Sequence, residues 1–260
     1  MRTGYPLRLI IAVLGLAGTL GPAQADLFTP PKGCTAFLTV QSKSCEVIHH
    51  WTCNNAPEGD IWLVSVGRHG PNAVQHMDSE FRWLDSYSLQ SNNSTRLITP
   101  DPDPNSLSEL LASGHDTFDF SQANYENGRK TGIEHIRGHD RLIGTKVKID
   151  GEPLLVTEFE IAITTDDGSI IRTTGNQYIS ERFRLFFQGR ETENADGDIY
   201  QYDNSPVRFI EPGEPDFLDN TPQYGCNQIM TGLPDAPGVI AAGFAGETGF
   251  MPRLSANQTH

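Results

Sequence analysis

Residues 145–173 read TKVKIDGEPLLVTEFEIAITTDDGSIIRT, and this stretch decides the fold. It holds two tight-turn sequences separated by a run in which apolar and polar side chains largely alternate. The first turn, Asp150-Gly151, is the dipeptide typical of a two-residue β-hairpin loop. The residues on either side of it, 145–149 and 154–164, are therefore predicted to pair as antiparallel strands.

The second turn lies at residues 166–168, where the sequence is Asp-Asp-Gly. It suits a three-residue hairpin loop with Gly168 in the left-handed conformation, which glycine adopts without steric cost. A loop of this length places Ile163 opposite Ile171 in the next strand. The whole stretch therefore predicts three consecutive antiparallel strands.

The rest of the chain continues this pattern on both sides. A short helix is predicted after a cap at Asn105 or Ser106, with Leu107, Leu110 and Leu111 on its apolar side. About ten strands at short, turn-separated intervals predict a mainly β protein, an antiparallel meander forming a barrel, half-barrel or sandwich. The further strand segments are 34–41, 45–53, 61–66, 73–89, 133–137, 176–179, 182–188 and 207–210.

The first two strand segments flank a turn at residues 42–44 and predict a disulfide. If Val40 pairs with Val47, then Cys34 lies opposite Cys53. Cysteines that face each other across two strands can lie close enough to bridge. The register therefore predicts a Cys34–Cys53 disulfide at the open end of the hairpin.

The two remaining cysteines, Cys45 and Cys226, are then predicted to pair with each other. This second bridge would tie the hairpin tip to the far end of the chain. In an oxidising compartment, an even number of cysteines implies that all four are bridged. The competing interpretation is a zinc site, but the sequence has no CxxC pair of the kind that structural zinc sites use.

The first 25 residues predict a cleavable export signal. Arg2 and Arg8 form a positive head, residues 9–20 are almost wholly apolar, and Ala23-Gln24-Ala25 supplies small residues for cleavage. An apolar run of about a dozen residues is too short to span a bilayer, which takes ~20. We therefore expect a periplasmic or secreted, soluble protein with no later transmembrane segment.

The chain is thus divided into a signal peptide at 1–25, a single β-rich domain at 26–226 and a largely irregular tail at 227–260. Loss of two arginines with the signal peptide changes the net charge from −14 to −16. Such acidity argues against nucleic acid as a partner, because nucleic acid needs a basic surface. No cofactor is expected.

Several polar clusters contain the residue types of metal sites, but none of them predicts a bound metal. His135 and His139 are four residues apart, but they lie in a strand segment, where such positions are ~13 Å apart. The acidic stretches at 101–105 and 194–198 have oxygen ligands at alternate positions, yet neither follows the calcium loop of an EF-hand. At 194–198 we expect an ordinary acidic hairpin turn, with a looser calcium loop as the alternative.

Two further groups of polar residues could carry function. The neighbours His49 and His50 point to opposite faces of a strand, and a buried, hydrogen-bonded His49 is expected. Glu158 and Glu160 share one strand face. They suggest either a carboxylate pair of the glycosidase kind or a cross-strand ion ladder with Arg182 and Arg184 on a solvated face.

Four apolar residues of the second half, Leu155, Phe159, Ile161 and Phe183, are predicted to line a ligand-binding groove. In architecture the chain resembles exported bacterial carriers that shape a curved sheet around a lipid or a lipid-modified chain, an analogy with no diagnostic motif. The sequence therefore favours a non-enzymatic binding or carrier protein, with a lipid, another apolar ligand or an envelope protein as partner. The alternatives are an exported hydrolase with a carboxylate or calcium-assisted site and a structural envelope component.

Overall fold

A computed structural model describes residues 27–227. Both the predicted signal peptide and nearly all of the predicted tail lie outside the described residues. Within them the chain forms one sheet of thirteen antiparallel strands and one α-helix. The strands are β1 Cys34–Ser42, β2 Glu46–Cys53, β3 Ile61–Gly67, β4 Gly70–Met77, β5 Trp83–Ser88, β6 Asn93–Asp103, β7 His115–Glu126, β8 Arg129–Ile149, β9 Glu152–Thr165, β10 Ile170–Ser180, β11 Leu185–Ala195, β12 Asp198–Asp203 and β13 Pro206–Ile210, and helix α1 spans Leu107–Ser113 between β6 and β7.

The strands follow one another in a meander, so that each strand from β1 to β11 pairs with the next strand in sequence. The exception is β13, which returns to pair with β1. The two edge strands, β12 and β13, are separated in sequence only by Asn204 and Ser205. These two residues make backbone hydrogen bonds to both ends of the sheet. The Asn204 N–H donates to Gly189 of β11 at 2.8 Å, and the Ser205 carbonyl accepts from Lys43 at 3.0 Å. The sheet therefore curls strongly, but its hydrogen-bond ladder does not close into a barrel.

The central meander forms as its sequence predicts. Asp150 and Gly151 both have positive φ, 46° and 87°, as a two-residue hairpin turn of this kind requires. Gly168 has φ 87°, and Ile163 lies opposite Ile171. The predicted mainly β meander with one short helix is confirmed.

The predicted register of the first hairpin is only partly right. At its open end the two cysteines lie opposite each other as predicted. A β-bulge at Phe37 then shifts the register by one residue, so that Val40 lies opposite Ile48 and not Val47. A bulge sends the residues on either side of it to opposite faces, and here each face packs against a different part of the protein.

Other strand boundaries also differ from the prediction. Segments 133–137 and 145–149 belong to one 21-residue strand, β8, and segment 73–89 is split into β4 and β5. Three strands, β6, β7 and β12, were missed. β6 contains two prolines and β7 is rich in polar residues, so neither has the composition of a typical strand.

Helix α1 has the predicted cap. Ser106 is the N-cap, and its side chain accepts a hydrogen bond from the Glu109 backbone N–H at 3.1 Å. Leu107 and Leu110 are fully buried in a cluster with Ile179 of β10. The helix therefore covers one end of the curled sheet.

Hydrophobic clusters lie on both faces of β1–β3. One cluster joins opposite ends of the sheet, because Leu38 and Val40 of β1 pack with Leu185 and Phe187 of β11. A second cluster, around Trp51 on the other face, is covered by Phe28, which precedes β1 in the chain, and by Phe217 and Leu218, which follow β13. We call residues 211–226 the cover segment. No helix among residues 27–227 is long and apolar enough to cross a membrane.

Both predicted disulfides are present. Cys34 is bonded to Cys53 within the first hairpin. Cys45 is bonded to Cys226 over a sequence separation of 181 residues. The second bridge fastens the end of the cover segment to the tip of the first hairpin.

Candidate ligand cavity

The registers of β7 to β12 align six residues in one row across the sheet. We call this set the acidic row, because it contains three carboxylates. Its members, each directly opposite the next on the neighbouring strand, are Asp116, Asp140, Phe159, Gly175, Glu191 and Tyr202.

Gly175 interrupts the side chains of the acidic row. A Cβ added at this glycine would lie 2.2 Å from the carbonyl oxygen of Arg190 and 3.0 Å from the Cα of Glu191, so only glycine fits. Glycine inside a strand often marks a close backbone approach or a bend in the sheet. The place that a side chain would take here is filled by the backbone of β11, so β10 and β11 approach each other closely at this point.

The acidic row forms part of the wall of an interior cavity of about 130 Å³. Asp116, Asp140, Phe159 and Glu191 of the row all line it. Much of the remaining wall is apolar and aromatic and comes from distant parts of the chain. Examples are Ile48, Phe81, Trp83, Phe118, Ile161 and Phe186.

Glu191 is the carboxyl group of the cavity wall that most lacks hydrogen-bond partners. Its side chain is buried, with the residue 3% exposed, and neither carboxylate oxygen has a hydrogen-bond partner. Burial, with a smaller effect from Glu193, raises the pKa of Glu191 to about 8. Glu193, two residues along the same strand, is likewise buried and unpartnered, and burial raises its pKa too.

Asp116 and Asp140 form a second acidic group, because they face each other across β7 and β8. Asp116 accepts a hydrogen bond from the Ser106 backbone N–H at 2.9 Å, whereas Oδ1 of Asp140 is buried without a partner. Burial raises the pKa of Asp140 to about 7, with Asp116 adding to the effect. Burial also raises the pKa of Asp116 to about 6.

The other ionisable groups of the wall are uncharged or paired. His50 is 2% exposed, and burial followed by repulsion from His49 lowers its pKa to about 3, so it is neutral at pH 7. The Glu46 carboxylate accepts from Asn72 at 3.0 Å, although burial raises its pKa. Glu80 accepts hydrogen bonds from Ser108.

The four residues predicted to bind a ligand do not share one surface. Phe159 and Ile161 line the cavity. Leu155 packs in the cluster under helix α1. Phe183 packs beside Phe37 at a ring distance of 6.5 Å and beneath the Arg182 guanidinium at 3.9 Å. Ligand binding by these residues stays a prediction.

His135 and His139, the candidate metal ligands, contact different residues and not each other. His135 contacts Asp119 at 3.1 Å, while His139 stacks on His115 with ring centroids 5.9 Å apart. Asn194–Asp198 forms the β11–β12 turn, and Asn194 accepts from the Gly197 N–H. Among residues 27–227, no three His, Cys, Asp or Glu side chains are grouped so as to hold a metal ion.

His49 and the paired glutamates behave as structural residues. His49 is buried and contacts Thr39 at 2.9 Å and Asn220 at 3.1 Å, which confirms the predicted hydrogen-bonded histidine. Glu158 and Glu160 are exposed and pair with Arg141 and Arg172 respectively. Arg182 and Arg184 instead contact other carboxylates, those of Glu152, Glu211 and Glu80.

Sequence reasoning missed Glu191, Asp116 and Asp140. A signal for Glu191 exists in β11, where every second residue from Leu185 and Phe187 onward is buried. Extending that alternation from Phe187 by four and six residues places Glu191 and Glu193 inside the protein. The alternation therefore predicts buried glutamates once the strand is known to continue to residue 195.

These features define an all-antiparallel β protein with a closely curled sheet and an interior cavity that is apolar with an acidic side. No protein-family model, curated protein or solved structure matches the chain.

Proposed function

We propose that the protein is an exported, non-enzymatic binding protein that holds a small, mainly apolar ligand in its interior cavity. Export is supported by the leader-like first 25 residues and by two disulfides, which form in oxidising compartments. The observation that carries the binding proposal is the cavity itself, enclosed by aromatic and aliphatic side chains within an otherwise packed sheet.

The cavity size limits the class of ligand. Apolar cavities of about 150 Å³ accept benzene or xenon, so 130 Å³ suits a single ring or a short alkyl segment. A whole diacyl lipid does not fit this volume. The ligand, or the part of it that enters, is therefore a small apolar group.

Binding can be tested with toluene as the probe. We expect saturable binding with one site per chain by calorimetry, together with a rise in melting temperature that follows occupancy. Native mass spectrometry of protein isolated from its own host would identify a co-purifying natural ligand.

Two neighbouring positions of β9 provide a matched pair of variants. Ile161→Trp adds volume inside the cavity and should abolish toluene binding. Ala162→Trp adds a larger volume to the opposite face of the strand, beside His139 and Arg172, and should leave binding unchanged. Absence of saturable binding to the unmodified protein would refute the proposal.

A second candidate, an acid–base hydrolase, is favoured by the facing carboxylates Asp116 and Asp140. Facing carboxylates with raised pKa values can divide the roles of acid and base, as in glycosidases. Nitrophenyl esters and glycosides would serve as test substrates. Turnover that Asp140→Asn abolishes would support the enzyme. If no substrate is turned over between pH 5 and 8, the hydrolase is wrong and binding remains the only candidate function.

A further inference from the structure

We propose that the ligand of this cavity carries an amine, which binds as an ammonium group to the carboxylate of Glu191 while its apolar part contacts Phe159 and Ile161. This inference rests on the proposed function, because it names the chemical class of the ligand that the cavity takes.

The first argument is the charge of the cavity wall. Five carboxylates line it, and no lysine or arginine does; its one histidine, His50, is neutral at pH 7. A cation that enters therefore meets carboxyl groups that can become its negative partners, whereas a ligand carboxylate or phosphate finds no cationic partner in the wall. The five are Glu46, Glu80, Asp116, Asp140 and Glu191.

The second argument is that the carboxylate of Glu191 is buried in the cavity wall without a hydrogen-bond partner. Buried polar groups in proteins nearly always have hydrogen-bond partners, and an unpaired one is destabilising. Glu46 has such a partner in Asn72, but neither oxygen of Glu191 has one although the residue is only 3% exposed. An ammonium donor would supply the partner.

The third argument is the space beside Glu191. Glu191 lies two strands from Phe159 in the acidic row and lines the cavity. Phe159 and Ile161 line the same cavity. A small ring or alkyl chain can therefore rest against these two residues with its amine turned toward the carboxylate.

Binding of the cation is coupled to loss of a proton. The empty cavity favours the neutral carboxyl form of Glu191, since burial raises its pKa to about 8. When the ammonium binds, the carboxyl releases its proton to solvent and the two charges pair. Affinity should thus weaken as pH falls below about 8, because a proton must then be displaced.

The other residues near Glu191 either change the affinity for a cation in the same direction with pH or do not titrate. Glu193 on the same strand repels its charge, and Tyr202 on β12 lies opposite it. The facing β10 residues, Thr173 and Gly175, do not titrate. Across the cavity, the pKa values of Glu46, Asp116 and Asp140 are raised by burial, so these groups also favour cation binding more at higher pH.

The test compares three probes of one size: benzylamine, toluene and benzoate. At pH 8 we expect benzylamine to bind the unmodified protein at least about tenfold more tightly than toluene, as a charged hydrogen bond would give. Benzoate should bind more weakly than toluene. Calorimetry in buffers of different ionisation enthalpy should show proton release with benzylamine and none with toluene.

Glu191→Gln should remove the advantage of benzylamine over toluene and the proton release, while toluene binding persists and reports an intact cavity. Glu160→Gln, on the exposed face of β9, is the matched control and should change neither. If toluene binds but benzylamine has no advantage, or keeps it in Glu191→Gln, the amine inference is wrong and the binding function stands. If no probe binds, both are wrong.

Discussion

Glu191 and its neighbours link burial to the pH dependence of stability. Its pKa is about 8 in the folded protein against 4.5 for an ordinary glutamate, because burial disfavours the charged form. A raised carboxyl pKa contributes stability that is fully present below 4.5 and is lost as pH rises toward 8. His49 and His50, with pKa values lowered by burial to about 4 and 3, act in the opposite sense, but only below their ordinary value of 6.5.

The free energy of unfolding should therefore fall as pH rises from 6.5 to 8. Glu191→Gln should flatten this slope and raise stability at pH 8 by about 2 to 4 kcal/mol, because the buried charge is gone. Urea unfolding at several pH values measures both effects.

Glu160→Gln serves again as the control, since its exposed ion pair with Arg172 should be worth less than about 1 kcal/mol. An unchanged slope in Glu191→Gln would show that Glu191 does not carry the pH dependence.

At the scale of the strand, Gly138 of β8 shows how the sheet obtains its curvature and its cavity. It lies opposite Phe118 on one side and Ile161 on the other. An added Cβ would lie 2.3 Å from the Glu160 carbonyl oxygen and 2.5 Å from the Phe118 ring. The glycine thus allows a close backbone approach beneath an aromatic ring of the cavity wall.

Gly138→Ala should lower the free energy of unfolding by about 1 to 3 kcal/mol, because neither the backbone nor the ring can easily move away. Gly132→Ala in the same strand is the matched control. Its nearest obstacle is a side-chain oxygen of Asp166 at 3.0 Å, so we expect a change within about 1 kcal/mol. Equal effects of the two substitutions, measured by urea unfolding, would contradict this account.

At the scale of the whole molecule, the cover segment is fastened at several points to the outer face of the first hairpin. Leu218 N–H donates to Thr39 at 3.1 Å, and Gln41 accepts from the Gln223 N–H at 2.9 Å. The Cys45–Cys226 bridge ends this set of contacts and closes a loop of most of the domain. Such a long loop restricts the unfolded chain strongly.

Replacing Cys45 and Cys226 together with serine should lower stability by about 2 to 5 kcal/mol. The matched variant replaces Cys34 and Cys53, whose sequence separation is only 19 against 181. Loop-closure entropy predicts a loss of at most about 3 kcal/mol for the Cys34–Cys53 pair and at most about 5 kcal/mol for the Cys45–Cys226 pair. A larger loss from the short loop in denaturant unfolding would contradict the entropic explanation.

Local sequence was sufficient where the structure depends on neighbouring residues. The turns at Asp150-Gly151 and Gly168, and the cap at Ser106, were predictable because positive φ and capping are properties of a few consecutive residues. The disulfide pairing was also predictable, since the hairpin places Cys34 opposite Cys53 and leaves only one other pair.

Features that depend on distant contacts were decided by the tertiary structure. The bulge at Phe37 shifts the register because both faces of β1 are covered, one by β11 and the other by the cover segment. The acidic row joins residues from Asp116 to Tyr202 only through the pairing of six strands. Alternation along a strand tells which residues share a face, but the curling of the sheet decides which face encloses the cavity and leaves Glu191 inside it without a partner.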